Sequence, residues 1–408
     1  MTAPETTTTH AGLQDLFGYP LAAGMQDRRT RRVAQGVSIS ARDISYESAN
    51  DPSPLTPLEE AVLIAATGPT GAVMHDGPLD KPSGKPELGT PFLHVTGRAA
   101  SSADNCQATS LFMINDEGIW LLRRPWEREA MEIFKEIPQR WEDRSEDDWR
   151  PFRPKGAADW VAWAAAKVGA VDPIPYQPIG GIKRVRGGLV TADTPAPIGS
   201  LGAVRTDHEA YFLMQNLMLL GEALRLGGWV HGAPMIPHVM RRDPAKGYLG
   251  LGFREHSTKP ATSRFTRWPP VPASQPNFVG IDGVLEGLCP PYVTDMDAAV
   301  DQVIEEKFGP GGAYADPEVF GQAYKDTASA EGYLRNAVHH PPEAIEYTKE
   351  ICRYLVETYG RFPAHTDAFY LPGTWVQFSH LEIEYYERFG NPEHSRRAAE
   401  GREIWGRS

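Results

Sequence analysis

The sequence predicts an α+β fold, with a mixed or antiparallel sheet, packed helices and long loop-rich inserts. Three stretches carry that expectation. Residues 110–114 (SLFMI) and 119–122 (IWLL) flank the turn Asn115-Asp116-Glu117-Gly118 and read as a β-hairpin. Thr56, Pro57 and Glu59 stand at the N-cap, N1 and N3 spacing of a capped helix whose body runs over 61–66. Phe212, Leu213, Leu217, Leu220 and Leu224 recur at helical spacing until Gly227-Gly228 ends the run. The counts of 36 Pro and 39 Gly divide such elements by many loops.

The bulk numbers bound the class. A chain of 408 residues holds one large domain or two ordinary ones. With 41% hydrophobic and 23% charged residues it reads as a soluble globular protein. A net charge of −12 argues against bulk nucleic-acid binding and against an anionic membrane surface, but leaves room for a small anion in a local basic pocket. Cys106, Cys289 and Cys352 are scattered without a CxxC, which favours neither a disulfide scaffold nor structural zinc. No apolar run approaches the length of a membrane span, and the N-terminal MTAPETTTTH lacks the basic and apolar regions of a signal sequence. The expected location is therefore cytoplasmic.

In chain order, residues 1–24 are a tail and lead-in, of which the first twelve or so read as a disordered, Thr-rich tail. Asp27 to Arg32 follow as DRRTRR, the densest positive charge in the chain. They are either a solvated face or a site for phosphate or carboxylate. After the capped helix, a Gly/Pro-rich loop leads to 91–98, then to the polar turn 99–107, which feeds the hairpin. That turn holds Ser101, Ser102, Asn105 and Gln107, with Arg98 just before it. Beyond Arg124 a charged, aromatic helix runs to about Ile137, and 159–168 reads as a short Ala/Trp helix. Residues 173–199 read as irregular, with a strand at 188–191. Thr206 is the expected N-cap of the long apolar helix, with Glu209 as its N3 partner and Gln215 and Asn216 as the polar exceptions along it. Short strands near 249–253 and 278–281, helices over 295–308 and 342–359, and a terminal helix over 375–389 complete the expected elements. The run after Asn391 reads as a charged surface tail.

Several chemistries have no support. There is no GxGxxG after a strand, no GxxxxGK[ST], no HExxH and no GxSxG. His380 and Glu384, four apart on the expected terminal helix, together with His365 and Asp367, could ligate iron or manganese, as could the Glu346/Glu350 pair. HxxxE on a helix is also an ordinary ion pair, so no metal is assigned. His231, His238, His365 and His380 remain candidates for a substrate pocket.

Taken together, these blocks resemble the nitroreductase superfamily of flavin mononucleotide (FMN) proteins, in particular the branch related to azoline dehydrogenases. The family's Arg-x-Ser-x-Arg is similar to Arg28-x-Thr30-x-Arg32, and its PLSLEEL helix to residues 54–60. Its SPSSxNxQP loop resembles residues 100–107, and its helix ending in Gly-Leu-Gly resembles 220–228. Departures are the missing proline in the loop, one extra residue before Asn105, Ala108 in place of Pro, and long inserts. The resemblance implies a single domain over 25–390 with inserts at about 124–205 and 229–340, and a tail over 391–408. It implies FMN held by Arg28, Thr30, Arg32, Ser101, Ser102, Asn105 and Gln107, a homodimer with shared sites, NAD(P)H as a possible reductant, and a small organic or modified-peptide substrate. Two other classes remain open: a metal-dependent enzyme using the C-terminal His and carboxylate residues, and a flavin fold that serves as a scaffold without turnover.

Overall fold

The computed structural model describes residues 10–72, 96–102, 109, 111–116, 118–122, 127–138, 140–152, 198–232, 241–246, 248–249, 252–257, 276–283, 285–286, 290–312, 314–320, 324, 326–336, 342–359 and 374–407. They form helices and small antiparallel sheets, an α+β arrangement.

The lead-in forms two helices, the first of which begins at Ala11, inside the end of the tail expected over the first twelve or so residues. Helix α1 (Ala11–Gly18) starts where the His10 ring nitrogen accepts the Gly12 N–H, and α2 (Leu21–Asp27) follows Pro20. Leu13 and Leu16, three apart on one face of α1, are buried. An extended segment then leads to the small hairpin of β1 (Ser38–Ile39) and β2 (Tyr46–Glu47). Helix α3 (Pro57–Ala65) has the expected capping box. Thr56 Oγ1 accepts the Glu59 N–H, and Glu59 Oε2 accepts the Thr56 N–H at 2.8 Å.

Strand β3 (Pro69–Ala72) pairs antiparallel with β4 (Thr96–Arg98). The predicted hairpin forms from β5 (Leu111–Asn115) and β6 (Gly118–Leu122), with Asn115 opposite Gly118. It is less buried than a core strand: Leu111, Phe112 and Met113 are half-buried and Ile114 is exposed, while Trp120 of β6 is buried. Helix α4 (Glu127–Glu136) ends close to the predicted Ile137, and α5 (Glu146–Trp149) continues into a short 3₁₀ turn. The expected helix at 159–168 and strand at 188–191 lie outside the described residues.

The long helix α6 (Ile198–Ala223) begins before Thr206, so that residue does not cap it. The helix is also not buried all round, for Tyr211 and Phe212 are exposed while its C-terminal turns are buried. It ends at Arg225, whose φ of 60° reverses the chain. The Leu226 N–H reaches back to the Gly221 carbonyl. A non-glycine residue is costly there, and Arg225 is held in place by Asp15 at 2.5–2.6 Å and Glu400 at 2.8 Å.

Strand β7 (Gly227–Gly232) follows, then β8 (Arg242–Asp243) with β9 (Tyr248–Leu249). Next come β10 (Arg254–Ser257), β11 (Pro276–Ile281) and β12 (Leu285–Glu286) in one three-stranded sheet. Helices α7 (Met296–Phe308), α8 (Pro317–Phe320), α9 (Thr327–Asn336) and α10 (Pro342–Tyr359) follow. The Asp295 side chain caps α7, and α7 packs against α10 with Lys349 Nζ 2.7 Å from Asp301. Cys352 on α10 is a free, buried thiol, pushed up to about 12 by burial.

Residues 375–389 are not one helix. Strand β13 (Thr374–Ser379) pairs with β7 along its whole length, and α11 (Ile383–Phe389) starts after a break at residues 380–382. Trp375, Val376 and Phe378 suit a pleated strand better than a helix. Phe378 crosses α6 at Gly221, where a Cβ would collide with its ring.

The C-terminal run is not a surface tail either. Helix α12 (Arg396–Ile404) packs on α1, and Trp405 is 3% exposed within the main core. That core joins Leu13 and Leu16 of α1, Leu58 and Val62 of α3, Phe134, Trp149, Leu224, Leu226 and Trp405. Gly12 lies against the Trp405 indole, with no room for a Cβ. Gly12→Ala is therefore expected to destabilise the protein by about 1–3 kcal/mol in urea unfolding. Helix propensity alone predicts a gain of roughly 1 kcal/mol, so the sign of the change tests the Gly12–Trp405 contact.

Candidate functional site

The arginine run after α2 is extended, and its side chains separate by exposure. Arg29, Thr30 and Arg32 are exposed, Arg28 is half-buried, and Arg31 is 4% exposed. The segment is fixed because the Arg31 N–H donates to the Gly228 carbonyl. The N–H groups of Arg32 and Val33 both donate to the Tyr386 hydroxyl. Arg31 Nη2 meets Glu222 Oε2 at 2.6 Å, and Arg397 Nε of α12 lies 3.9 Å from Glu222 Oε1. The Arg397 guanidinium stands 3.9 Å over the Tyr19 ring.

Three guanidinium groups, from Arg28, Arg31 and Arg397, thus act on one carboxylate. Burial pushes the Glu222 carboxyl up, against the pull of Arg31, Arg397 and Arg28. Asp27 also acts on this cluster, through the Tyr19 phenol. Arg28 Nε, Arg397 Nε and Nη2, and the Tyr19 hydroxyl are buried atoms without a hydrogen-bond partner among the described residues. Burial also pushes the Tyr19 phenol up, keeping it a neutral donor. Buried donors of this kind call for a partner. Arg397, 23% exposed, reaches from this cluster towards solvent. The chemistry offered is that of an anion cradle.

The polar loop forms a second cluster near the middle of α6 (Ile198–Ala223), at Glu209. Glu209 accepts from Arg98 Nη1 at 2.9 Å, from Ser102 Oγ at 2.7 Å and from the Thr109 N–H at 2.9 Å. Arg98 Nε also donates to the Thr67 carbonyl, and Asn216 Nδ2 to the Ala99 carbonyl. The amide within the helix therefore pins the start of the loop. Ser101 is exposed. Asn105 and Gln107 lie outside the described residues. Glu209 and Glu222 are thirteen positions apart on one helix, so at about 1.5 Å per residue the two clusters stand roughly 20 Å apart. A five-carbon ribityl chain does not span that distance. Within one chain the structure does not bring Arg28 and Ser102 to neighbouring parts of one flavin.

The histidines diverge as well. His231 of β7 stacks on Trp229 with centroids 4.0 Å apart and planes 17° from parallel, while the Arg32 guanidinium lies 5.5 Å from the Trp229 ring. His380 is 5% exposed and sits between Ser53 and Glu59. Its Nδ1 is 2.9 Å from Ser53 Oγ, and its Nε2 is 3.0 Å from Glu59 Oε2. Glu384 turns elsewhere, to Arg402 at 3.1 Å. The expected His380/Glu384 pair is therefore absent, because a strand end and a helix start place them on different elements. His238, His365 and Asp367 lie outside the described residues. No group of three or more His, Cys, Asp or Glu suited to a metal occurs among the described residues.

Glu59, wholly buried, is the best-served carboxylate. Burial alone would raise it, but the His380 hydrogen bond, the Arg407 guanidinium and the Thr56 N–H hold it down at about 2. Arg407 Nε is 2.7 Å from Glu59 Oε1, and its Nη2 also donates to the Leu224 carbonyl at 2.6 Å.

Sequence reasoning missed Arg31, Glu222, Arg397 and Arg407. One signal was present: Glu222 is a lone carboxylate in the apolar run MLLGEALRL, and such a group needs a cationic partner. The arginines of 396–407 carried no such mark. Among the described residues no helix is long and apolar enough to cross a membrane. Compared with protein-family models, curated proteins and solved structures, the chain matches none.

Proposed function

We propose that this chain is a nitroreductase-like, FMN-dependent oxidoreductase that acts on a small organic or modified-peptide substrate, with NAD(P)H as a candidate reductant. The observation that supports it most is the cluster of Arg28, Arg397 and Tyr19, whose Arg28 Nε, Arg397 Nε and Nη2 and Tyr19 hydroxyl are buried without a hydrogen-bond partner among the described residues. A phosphate monoester, doubly charged and rich in acceptors, suits that donor set. Arg31 is held rigid by Glu222, while Arg28 and Arg397 supply the donors that would meet the phosphate oxygens. Bound FMN would supply hydride transfer, and the protein would set its orientation and access.

Because Ser102 stands against Glu209, roughly 20 Å along α6 from the cradle, this reading places the Ser101–Ser102 loop of a second copy beside the cradle of the first. Exposed Tyr211 and Phe212 on α6, with exposed Leu21 and Met25 on α2, provide apolar surface for such a homodimer. Light scattering is expected to give a mass near twice the 45.0 kDa of the chain.

The direct test of function is titration of the apoprotein with FMN, followed by fluorescence quenching, and the absorption spectrum of the loaded protein. Saturable binding with a flavin spectrum is expected. A protein that binds no FMN would be left as a scaffold without a cofactor, and the reading would be withdrawn.

A further inference from the structure

The geometry points to a second chemistry, separate from the flavin reading: Ser53 is an acyl-accepting nucleophile, activated by His380 and oriented through Glu59. The three side chains form one hydrogen-bonded line, 2.9 Å from Ser53 Oγ to His380 Nδ1 and 3.0 Å from His380 Nε2 to Glu59 Oε2.

Each link has a direction. Glu59 is wholly buried and remains a carboxylate at neutral pH, since Arg407 and the Thr56 N–H hold its charge. A carboxylate only accepts, so it fixes the proton of neutral His380 on Nε2. That leaves the Nδ1 lone pair facing Ser53, and the serine hydroxyl donates to it. A hydroxyl on a neutral imidazole that is itself oriented by an ionised carboxylate is the arrangement that activates serine as a nucleophile. Here the ring is used in the opposite sense from the commoner one, with the carboxylate on Nε2 and the serine on Nδ1.

Access also fits. His380 and Glu59 are buried, but Ser53 is half-buried between two exposed prolines, Pro52 and Pro54. The two prolines restrict the backbone, so the hydroxyl is held at the surface end of the line. Glu59 is anchored at the first turn of α3, and His380 follows the last residue of β13, so the line is supported by regular elements.

The class of substrate is an activated carboxylic ester. Ser53 Oγ bonds to the acyl carbon as its proton passes to His380 Nδ1, and the ester C–O bond breaks. The departing alkoxide takes the proton from Nδ1. Water then adds to the acyl-serine, His380 accepts its proton, and the carboxylic acid leaves as Ser53 regains its own. No oxidant or reductant enters.

The test uses the full chain with a fluorophosphonate probe and with p-nitrophenyl acetate. Expected are a single phosphonyl adduct, mapped by peptide mass to Ser53, and ester hydrolysis that falls by about 100-fold or more in Ser53→Ala. Circular dichroism and the thermal melt of Ser53→Ala establish that it is folded. Binding of FMN by Ser53→Ala is expected to match that of the native chain, which separates this result from the flavin reading. A second variant, Ser53→Cys, should alkylate with iodoacetamide faster than the same chain in urea. The assignment is overturned by the absence of an adduct at Ser53, by equal hydrolysis in Ser53→Ala, or by alkylation of Ser53→Cys, mapped to position 53, that is no faster in the folded chain than in urea. A Ser53→Ala variant that only melts lower, with esterase activity unchanged, would mean that the serine merely satisfies the imidazole.

Discussion

Arg407→Met is expected to lower the stability of the protein by about 3–5 kcal/mol, the range for removing one partner of a buried ion pair. The substitution keeps the unbranched stem of the side chain but leaves Glu59, wholly buried, without its guanidinium partner and with only the hydrogen bonds from His380 and the Thr56 N–H. It also removes the donors that reach the carbonyls of Leu224 and Arg225 at the end of α6. The measurement is equilibrium unfolding in urea. Glu59→Gln alone should also be costly, and the double variant should cost much less than the sum of the two, because the residues share one interaction. A loss below about 1 kcal/mol in Arg407→Met would show that the C-terminal arginine is not the counter-ion.

The same pair sets a pH dependence. Glu59 titrates at about 2 in the fold against an ordinary value of 4.5. A lowered carboxylate contributes stability that is complete above about pH 4.5 and is lost as the pH falls towards 2. The shift corresponds to on the order of 3 kcal/mol. Stability measured between pH 5 and 2 should therefore fall more steeply in the native chain than in Glu59→Gln. Parallel slopes would contradict the assignment.

Loss of the arginine cradle is the second large effect. Under the flavin reading, each charge-assisted hydrogen bond to phosphate is worth about 1.5–3 kcal/mol. Arg28→Ala should then weaken FMN binding by about 10- to 150-fold. Arg397→Ala is expected to act similarly, since its Nε and Nη2 have no other hydrogen-bond partner among the described residues. Arg28→Lys keeps the charge but loses the planar fork, and should fall between the native chain and Arg28→Ala. Arg32→Ala should change affinity far less, because Arg32 is exposed and lies over Trp229. Equal FMN affinity in the native chain and in the Arg28→Ala, Arg397→Ala double variant would sink the cradle as a phosphate site. An Arg32→Ala loss as large as that of Arg28→Ala would move the site to the outer face of the run.

What the sequence determined by itself was local. The Thr56–Glu59 capping box, the turn at Asn115–Gly118 and the helix over 342–359 were legible because each rests on spacings of two to four residues, within reach of one turn or one hairpin. The reading failed where a pattern was locally ambiguous. The segment TWVQFSHLEIEYYERF admits one helix on spacing alone, and pairing with β7 splits it into a strand and a helix. Likewise, SRRAAEGREIWGR is charged enough to read as a tail. Its fate depends on Leu13, Leu16 and Gly12 at the opposite end of the chain, which receive Trp405 into the core. The candidate site followed the same division. DRRTRR read as either a solvated face or an anion site, and which arginines turn inward was decided by Glu222 and Arg397, some 190 and 370 positions away. Glu59 was read correctly as a cap, yet its charge is kept by His380 and Arg407 from the far end of the sequence. Capping and turn chemistry are written within a few residues, whereas ion pairs in a core exist only after the tertiary fold has removed water from between distant residues.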